Sequence, residues 1–407
     1  MSMETNPLSF NRIVHASPAE TYRAFTNSTA LREWMCDFAT TAPRVGGRFY
    51  LAWNDGYYTS GEFKALEPEK LIVFTWHGRG EPAPSQVAVK LTLQDEDTAI
   101  DLKHTGLGEE PEWKQTREEI GKGWEYALEN LSSIFATGED LRLVRRPMLG
   151  ITVSDFDADI AKNLNIPVTE GIRLDTTIEG MSAAAAGLQK DDVIVGIDRQ
   201  DASNWNNLAN ALQSHQAGDE VEVVFYRGPE KKTVTMKLSG RPIPEIPESP
   251  AELAQAISKI YAEGEKQLDE LFEGVSEEQA SFKPAPGEWS IKENLAHLIH
   301  SQRGWHTSIS DLIEGQEAQY DDFGGNVQAR VTATVAAYPT LKALREELRR
   351  SEKETVTMIA ELPEKLVARK GSYWRLAYNL IEDKYHLPSH LEQMQAALDA
   401  AREAQLV

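Results

Sequence analysis

The sequence predicts a multidomain α+β protein: a curved antiparallel sheet closed by a long C-terminal helix, a second, strand-rich segment with helices, and an up-and-down four-helix bundle. Three observations predict it. Hydrophobic residues alternate in short runs between residues 8 and 104, take a helical period from 113 to 136, return to strand-like runs after 146, and are helical almost throughout beyond 250. Ala136-Thr-Gly-Glu-Asp140 and the proline-rich Arg241-Pro-Ile-Pro-Glu-Ile-Pro-Glu-Ser-Pro250 read as linkers, the second semi-rigid. Finally, 407 residues exceed one ordinary domain of about 150 residues. The expected segments are 1–141, 146–241 and 250–407.

Composition narrows the function classes. The formal charge is -22 and no segment is basic, so binding along a phosphate backbone has no electrostatic support and no nucleic-acid partner is expected. The first residues carry no apolar core of signal-peptide length, and nowhere do eighteen apolar residues run together. The expectation is a cytoplasmic protein with no membrane partner. Cys36 is the only cysteine, so any metal must be held by histidine and carboxylate. Beside Trp34 and Met35, that thiol reads as a small buried apolar residue.

The first strand is Leu8 to Val14. Ser17-Pro-Ala-Glu20 then caps a short helix, with Pro18 at its first position. Strand-like runs follow at Phe49 to Trp53, Gly61 to Leu66, Lys70 to Trp76, Gln86 to Leu93 and Thr98 to His104, separated by Gly, Pro, Asp and Glu turns. From Trp113 to Ala136 a helix places Ile120, Trp124, Ala127, Leu128, Leu131 and Phe135 on one stripe. This order, with Val45-Gly-Gly-Arg-Phe, Leu71-Ile-Val-Phe-Thr-Trp and Gly123-Trp-Glu-Tyr-Ala-Leu, resembles the START-like (SRPBCC) helix-grip domains of the chaperone ATPase-activator homologue family. The resemblance implies an apolar cavity between sheet and helix for a small apolar ligand. Trp53, Tyr57, Trp76, His77 and Trp124 are the candidate lining, and packed core is the other reading of the same aromatics.

After Arg145-Arg-Pro-Met-Leu-Gly-Ile-Thr-Val come Gly180-Met-Ser-Ala-Ala-Ala-Ala-Gly-Leu188, Lys190-Asp-Asp-Val-Ile-Val-Gly-Ile-Asp198, a helix from Asn204 to Ser214 and Asp219-Glu-Val-Glu-Val-Val-Phe-Tyr-Arg227. This looks like a PDZ domain in the circular order of HtrA-type proteases, which implies a small β-sandwich or partial barrel with helices. The resemblance implies that a partner's C-terminal peptide adds as a strand beside Ile151 to Ser154. Its carboxylate would lie on the amides of Leu149, Gly150 and Ile151, and its apolar side chains against Leu208 and Leu212. No Gly-x-Ser-x-Gly nucleophile pattern accompanies it. The chain's own Ala404-Gln-Leu-Val407 ends on an apolar residue, which gives two readings: a tail that docks in the same groove, or a frayed helix end.

Beyond 250 four helices are expected: Pro250 to Phe272, Ser290 to Glu314, Thr340 to Ala360 and about Tyr373 to Glu403, with Ser290-Ile-Lys-Glu293 a capping box. Two histidines four apart, His386 and His390, share a helix face if the helix includes both; a helix starting at Pro388 would leave His386 outside. On a helical wheel Ile291, Leu295, Leu298, Gln302 and His306 share a stripe that omits His297 and His300, so periodicity does not select His297. Pro284-Ala-Pro-Gly-Glu-Trp-Ser-Ile-Lys-Glu-Asn-Leu-Ala-His-Leu, followed by His386-x-x-x-His390-Leu-Glu-Gln, resembles the DinB-like four-helix metalloproteins. That resemblance implies a divalent metal on His297, His386 and His390; Zn, Ni and Fe all accept such ligands, Tyr385, Glu392, Gln393 and Trp305 are candidates to surround it, and a bundle with hydrogen-bonded or solvated histidines is the other reading.

Two functions follow from these resemblances. One is a metal-dependent thiol transferase or hydrolase acting on a small electrophilic substrate, which with no nearby thiolate would use an external low-molecular-weight thiol. The other is a non-catalytic adaptor or stress-response binding protein recognising C-terminal peptides and an apolar ligand. The residues alone leave open whether the protein is an enzyme.

Overall fold

The computed structural model describes residues 6–213, 215–316 and 328–405. Local chemistry sets its first elements as expected. Strand β1 (Leu8–Val14) is followed by α1 (Pro18–Thr26), where Ser17 accepts from the Glu20 amide, Glu20 accepts from the Ser17 amide, and Pro18 occupies the first turn. Then come α2 (Ser28–Trp34), β2 (Phe38–Thr41), β3 (Arg48–Ala52), β4 (Tyr58–Glu67), β5 (Leu71–Gly78), β6 (Ser85–Gln94), β7 (Asp97–Thr105) and α3 (Lys114–Thr137). The seven strands order as β1-β7-β6-β5-β4-β3-β2, a meander that β1 closes by pairing with β7. Among these strands only β2 was not expected, because four residues are too few to show alternation, and the second short helix, α2, was not expected either. Helix α3 buries Trp124, Ala127, Leu128, Leu131 and Ile134, so Ile134 takes the core place expected of Phe135.

The chain packs as two compact units: Met1–Ala52, Thr59–Glu139 and Pro244–Val407 form one, and Trp53–Tyr58 with Asp140–Ile243 the other. In the second unit, α4 (Leu141–Val144), β8 (Pro147–Met148), β9 (Ile151–Ser154), α5 (Ala158–Asn163), β10 (Ile172–Thr177), α6 (Ser182–Ala185), β11 (Val193–Ile197), β12 (Gln200–Asp201), α7 (Trp205–Gln213), β13 (Glu220–Arg227), β14 (Glu230–Lys237) and β15 (Ser239–Gly240) follow in order. The main sheet runs β14-β13-β11-β10-β9, with β12 on β11, and β15 pairs with β8. Leu174, Ile194, Ile197 and Val223 fill its core, and β9 lies at the sheet's edge.

The remaining helices are α8 (Pro250–Leu271), α9 (Glu277–Ser281), α10 (Ile291–Ile313), α11 (Gln328–Ala337), α12 (Leu341–Ala360), α13 (Glu364–Val367), α14 (Lys370–Glu382) and α15 (His386–Glu403). Contacts run α8 to α12, α12 to α10, α10 to α15 and α15 back to α8, which closes a four-helix bundle. One expectation needs correction. The single helix from Tyr373 to Glu403 is two helices joined by a 3₁₀ turn at Asp383–Tyr385. Pro388 is the cause: its ring is tolerated in a first turn, where the missing N–H has no intrahelical partner to lose, and strained further in. The new helix therefore starts at His386, with Pro388 as its third residue.

Candidate metal centre and peptide groove

Helix α10 carries His297 and α15 carries His386 and His390. Ser290 caps α10 by accepting from the Glu293 amide, and Glu293 accepts from the Ser290 amide. Ile291, Leu295 and Leu298 of the expected stripe are buried, which turns His297 toward α15. Because α15 starts at His386, both its histidines lie on one face, four apart.

The three side chains meet. His386 Nε2 lies 3.0 Å from His297 Nε2 and 3.0 Å from His390 Nε2, and one ligand atom from each histidine falls within 4.8 Å of the others. His390 is buried and the other two are half-buried. Nitrogens bound tetrahedrally at about 2.0–2.1 Å stand roughly 3.3 Å apart, so this spacing suits one small cation. Burial and the neighbouring imidazoles hold His297 down to about 4. Burial, then His386, does the same for His390, also to about 4, against the opposing hydrogen bond to Gln393. Both rings are therefore neutral near neutrality, the form that offers a nitrogen lone pair.

Around this centre, Trp289 stacks on His390 with ring planes 18° apart and centroids 6.4 Å apart, and its centroid is 5.1 Å from that of His297. Its indole N–H donates to Gln328 Oε1 at 3.0 Å, and Gln328 Nε2 donates to Glu293 Oε1 at 3.0 Å. Asp383 Oδ1 is 3.7 Å from His386 Nδ1, and its Oδ2 accepts from Trp305 Nε1 at 3.1 Å. Of the other residues expected nearby, Gln393 Oε1 is 3.2 Å from His390 Nδ1, while Tyr385 is 65% exposed and Glu392 is exposed. His306, which periodicity favoured, bonds instead to Ser351 O and Thr355 Oγ1; His300 bonds to Arg330 O and Thr334 Oγ1.

Asn294 was missed by sequence reading. It is fully buried, its amide N–H donates to Ser290 O at 3.0 Å, and its Oδ1 lies 2.9 Å from His390 Nδ1. The signal was present, since Asn294 stands three residues before His297 and shares its helix face.

In the second unit, Gly150 has φ +73, and a Cβ there would lie 2.3 Å from the Met181 Cβ, so the turn admits only glycine. The carbonyls of Leu149 and Gly150 accept from Ala183 and Ile178, whereas their amides donate to none of the described residues. Ile151 begins β9, whose outer edge is unpaired among the described residues. Leu208 is buried in the core and Leu212 is partly buried against it, so of the two only Leu212 keeps surface. Leu406 and Val407, the tail residues considered for this groove, lie outside the described residues.

In the sheet-and-helix segment, Trp76 and Trp124 face each other at 5.6 Å and line an apolar space with Phe25, Leu31 and Phe49. That space is about 10 Å³, room for one water. Trp53 and Tyr57 are not among its lining; they pair with each other at 5.3 Å in the second compact unit. His77 Nε2 lies 3.3 Å from the carbonyl of Glu81.

Comparison with known proteins assigns each segment separately. Residues 15–136 match the family described as activator of Hsp90 ATPase homolog 1-like protein, residues 147–238 the PDZ domain, and residues 260–401 the DinB superfamily. The chain thus joins an SRPBCC-type, a PDZ and a DinB-like segment. It is similar to the serine protease Do-like HtrA of Lactococcus lactis, 34% identical over 24% of this chain and 25% of that protein. It is also similar to the human activator of 90 kDa heat shock protein ATPase homolog 1, 34% identical over 31% of this chain and 36% of that protein. The chain spans about a quarter to a third of these curated relatives. Among solved structures, CalU16 from Micromonospora echinospora is 26% identical over 31% of this chain and 74% of that one, with a TM-score of 0.27. No helix among the described residues is long and apolar enough to cross a membrane.

Proposed function

We propose that the protein consists of three modules, 1–141, 146–241 and 250–407, and that the third binds a divalent cation on His297, His386 and His390 and acts on a small electrophile. The convergence of three Nε2 atoms around His386 carries this reading. Zn, Ni and Fe all accept imidazole ligands. A cation held there supplies Lewis acidity toward the electrophile, and three histidine ligands leave it a coordination position. The chain's own residues keep two of the imidazoles neutral and cover one side of the centre with Trp289. Cys36 is buried within the sheet-and-helix segment, so a thiol-dependent transfer needs an external low-molecular-weight thiol. The test is thiol consumption with an electrophilic probe by the metal-loaded protein. The expected result is turnover that His297→Ala abolishes; equal rates with and without the histidine contradict it.

A second reading is an adaptor in the cytoplasm, and the amides of Leu149 and Gly150 together with the open edge of β9 favour it. A peptide's free carboxylate fits paired amides and its backbone fits an open strand. On this reading the helix-grip segment takes a small apolar ligand or a protein partner, as the name of its human relative suggests. Saturable binding of peptides with free C-termini, lost when the terminus is amidated, is the expected result. Cell fractionation checks the compartment.

A further inference from the structure

We propose that Asn294 is a positioning residue that sets the tautomer of His390 and so aims its Nε2 at the other two histidines. This rests on the metal-binding reading for its consequence, while the tautomer itself does not. A neutral imidazole has one N–H and one lone pair, and the partner of one nitrogen decides the role of the other. At His390 the partner of Nδ1 is Asn294, and the orientation of that amide is fixed independently. Its N–H donates to Ser290 O at 3.0 Å, one turn back on α10, which leaves Oδ1 toward the ring at 2.9 Å. Gln393 Oε1, at 3.2 Å, is a second acceptor on the same nitrogen.

An oxygen facing Nδ1 requires the proton on Nδ1. The lone pair then lies on Nε2, 3.0 Å from His386 Nε2. Reversal of the tautomer would leave the Asn294 oxygen, fully buried, against a ring lone pair, and would point an N–H into the centre where a cation needs an acceptor. The device is built from two helices: Asn294 and His297 ride on α10 and His390 on α15, so one buried amide also fixes the register between them.

Nitrogen-15 NMR of imidazole in the metal-free protein, with cobalt(II) titration alongside, tests this. The wild type is expected to show His390 protonated at Nδ1. Asn294→Leu is expected to shift it toward the Nε2–H form and weaken cobalt binding about 10–100-fold, and Asn294→Asp to restore both through its carboxylate oxygen. His390 protonated at Nε2 in the wild type overturns the inference, as does an Asn294→Leu protein with unchanged tautomer and affinity. If Asn294→Leu fails to fold, the wild-type spectrum and Asn294→Asp still decide. A wild type with Nδ1–H that binds no cobalt contradicts the metal reading and leaves the tautomer assignment standing.

Discussion

At the scale of single residues, burial holds His104, His297 and His390 neutral, but their surroundings differ. His104 is fully buried and far in sequence from the His297, His386 and His390 cluster. Its Nδ1 accepts from Trp124 Nε1 at 3.1 Å, so its proton sits on Nε2, 2.7 Å from Ser85 Oγ, which donates onward to Trp76 O at 3.1 Å. The Ser85 and His104 pair therefore runs the wrong way for a nucleophile and base, since the hydroxyl proton goes to a carbonyl. Protonating Nδ1 would set two donors face to face. Burial, then Arg117, accordingly lowers His104 from 6.5 to about 4. Between those values the unfolded chain binds a proton that the folded one refuses, so the His104 contribution to stability is fully present above 6.5 and is lost as pH drops toward about 4. The loss is roughly 3 kcal/mol at most. Denaturation of wild type and His104→Gln over that range should show a shallower pH slope in the variant; parallel curves would contradict it.

At the scale of elements, the edge strand β9 and its glycine turn make the sharpest case. Gly150→Val places a branched side chain at φ +73 against Met181. It should cost about 1–3 kcal/mol of strain and reduce peptide affinity at least about tenfold, read by calorimetry against C-terminal peptides. Affinity equal to wild type would remove the Leu149 and Gly150 amides from the binding site. Much of this level was legible in sequence. The capping boxes at Ser17 and Ser290, the strand β1 and the start of α10 are written in short, local signals. What escaped depends on length or on partners: β2 is four residues long, and the break before His386 follows from Pro388 settling into a first turn rather than kinking a longer helix. His297 was reached through a family motif, because its stripe position is off the apolar face. Asn294 stands one helical turn from His297, a signal open to sequence, but its role rests on Ser290 O and His390 Nδ1, which only the folded bundle brings against it.

At the scale of the whole molecule, the helix-grip segment and the bundle share one compact unit, joined through α14. Lys370 Nζ donates to Ala136 O at 2.9 Å, the Ser372 hydroxyl donates to the buried Glu33 carboxylate, and a Cβ on Gly371 would come within 2.8 Å of Ile134. From that clasp α14 leads through the Asp383–Tyr385 turn to His386. Gly371→Leu should therefore destabilise the unit by about 1–3 kcal/mol through overpacking and lower metal affinity as well, since the helix leading to two of three ligands is displaced. Unchanged melting and unchanged affinity would show the clasp to be incidental.

The proposed function requires His297, His386 and His390 to hold one divalent cation. Metal analysis of the purified protein, equilibrated with zinc and then dialysed, measures it directly. The expected result is about one zinc per chain in the wild type and none in His390→Ala with its fold intact. A wild type that retains no zinc, nickel or iron, or a His390→Ala protein that keeps a full equivalent, would contradict it.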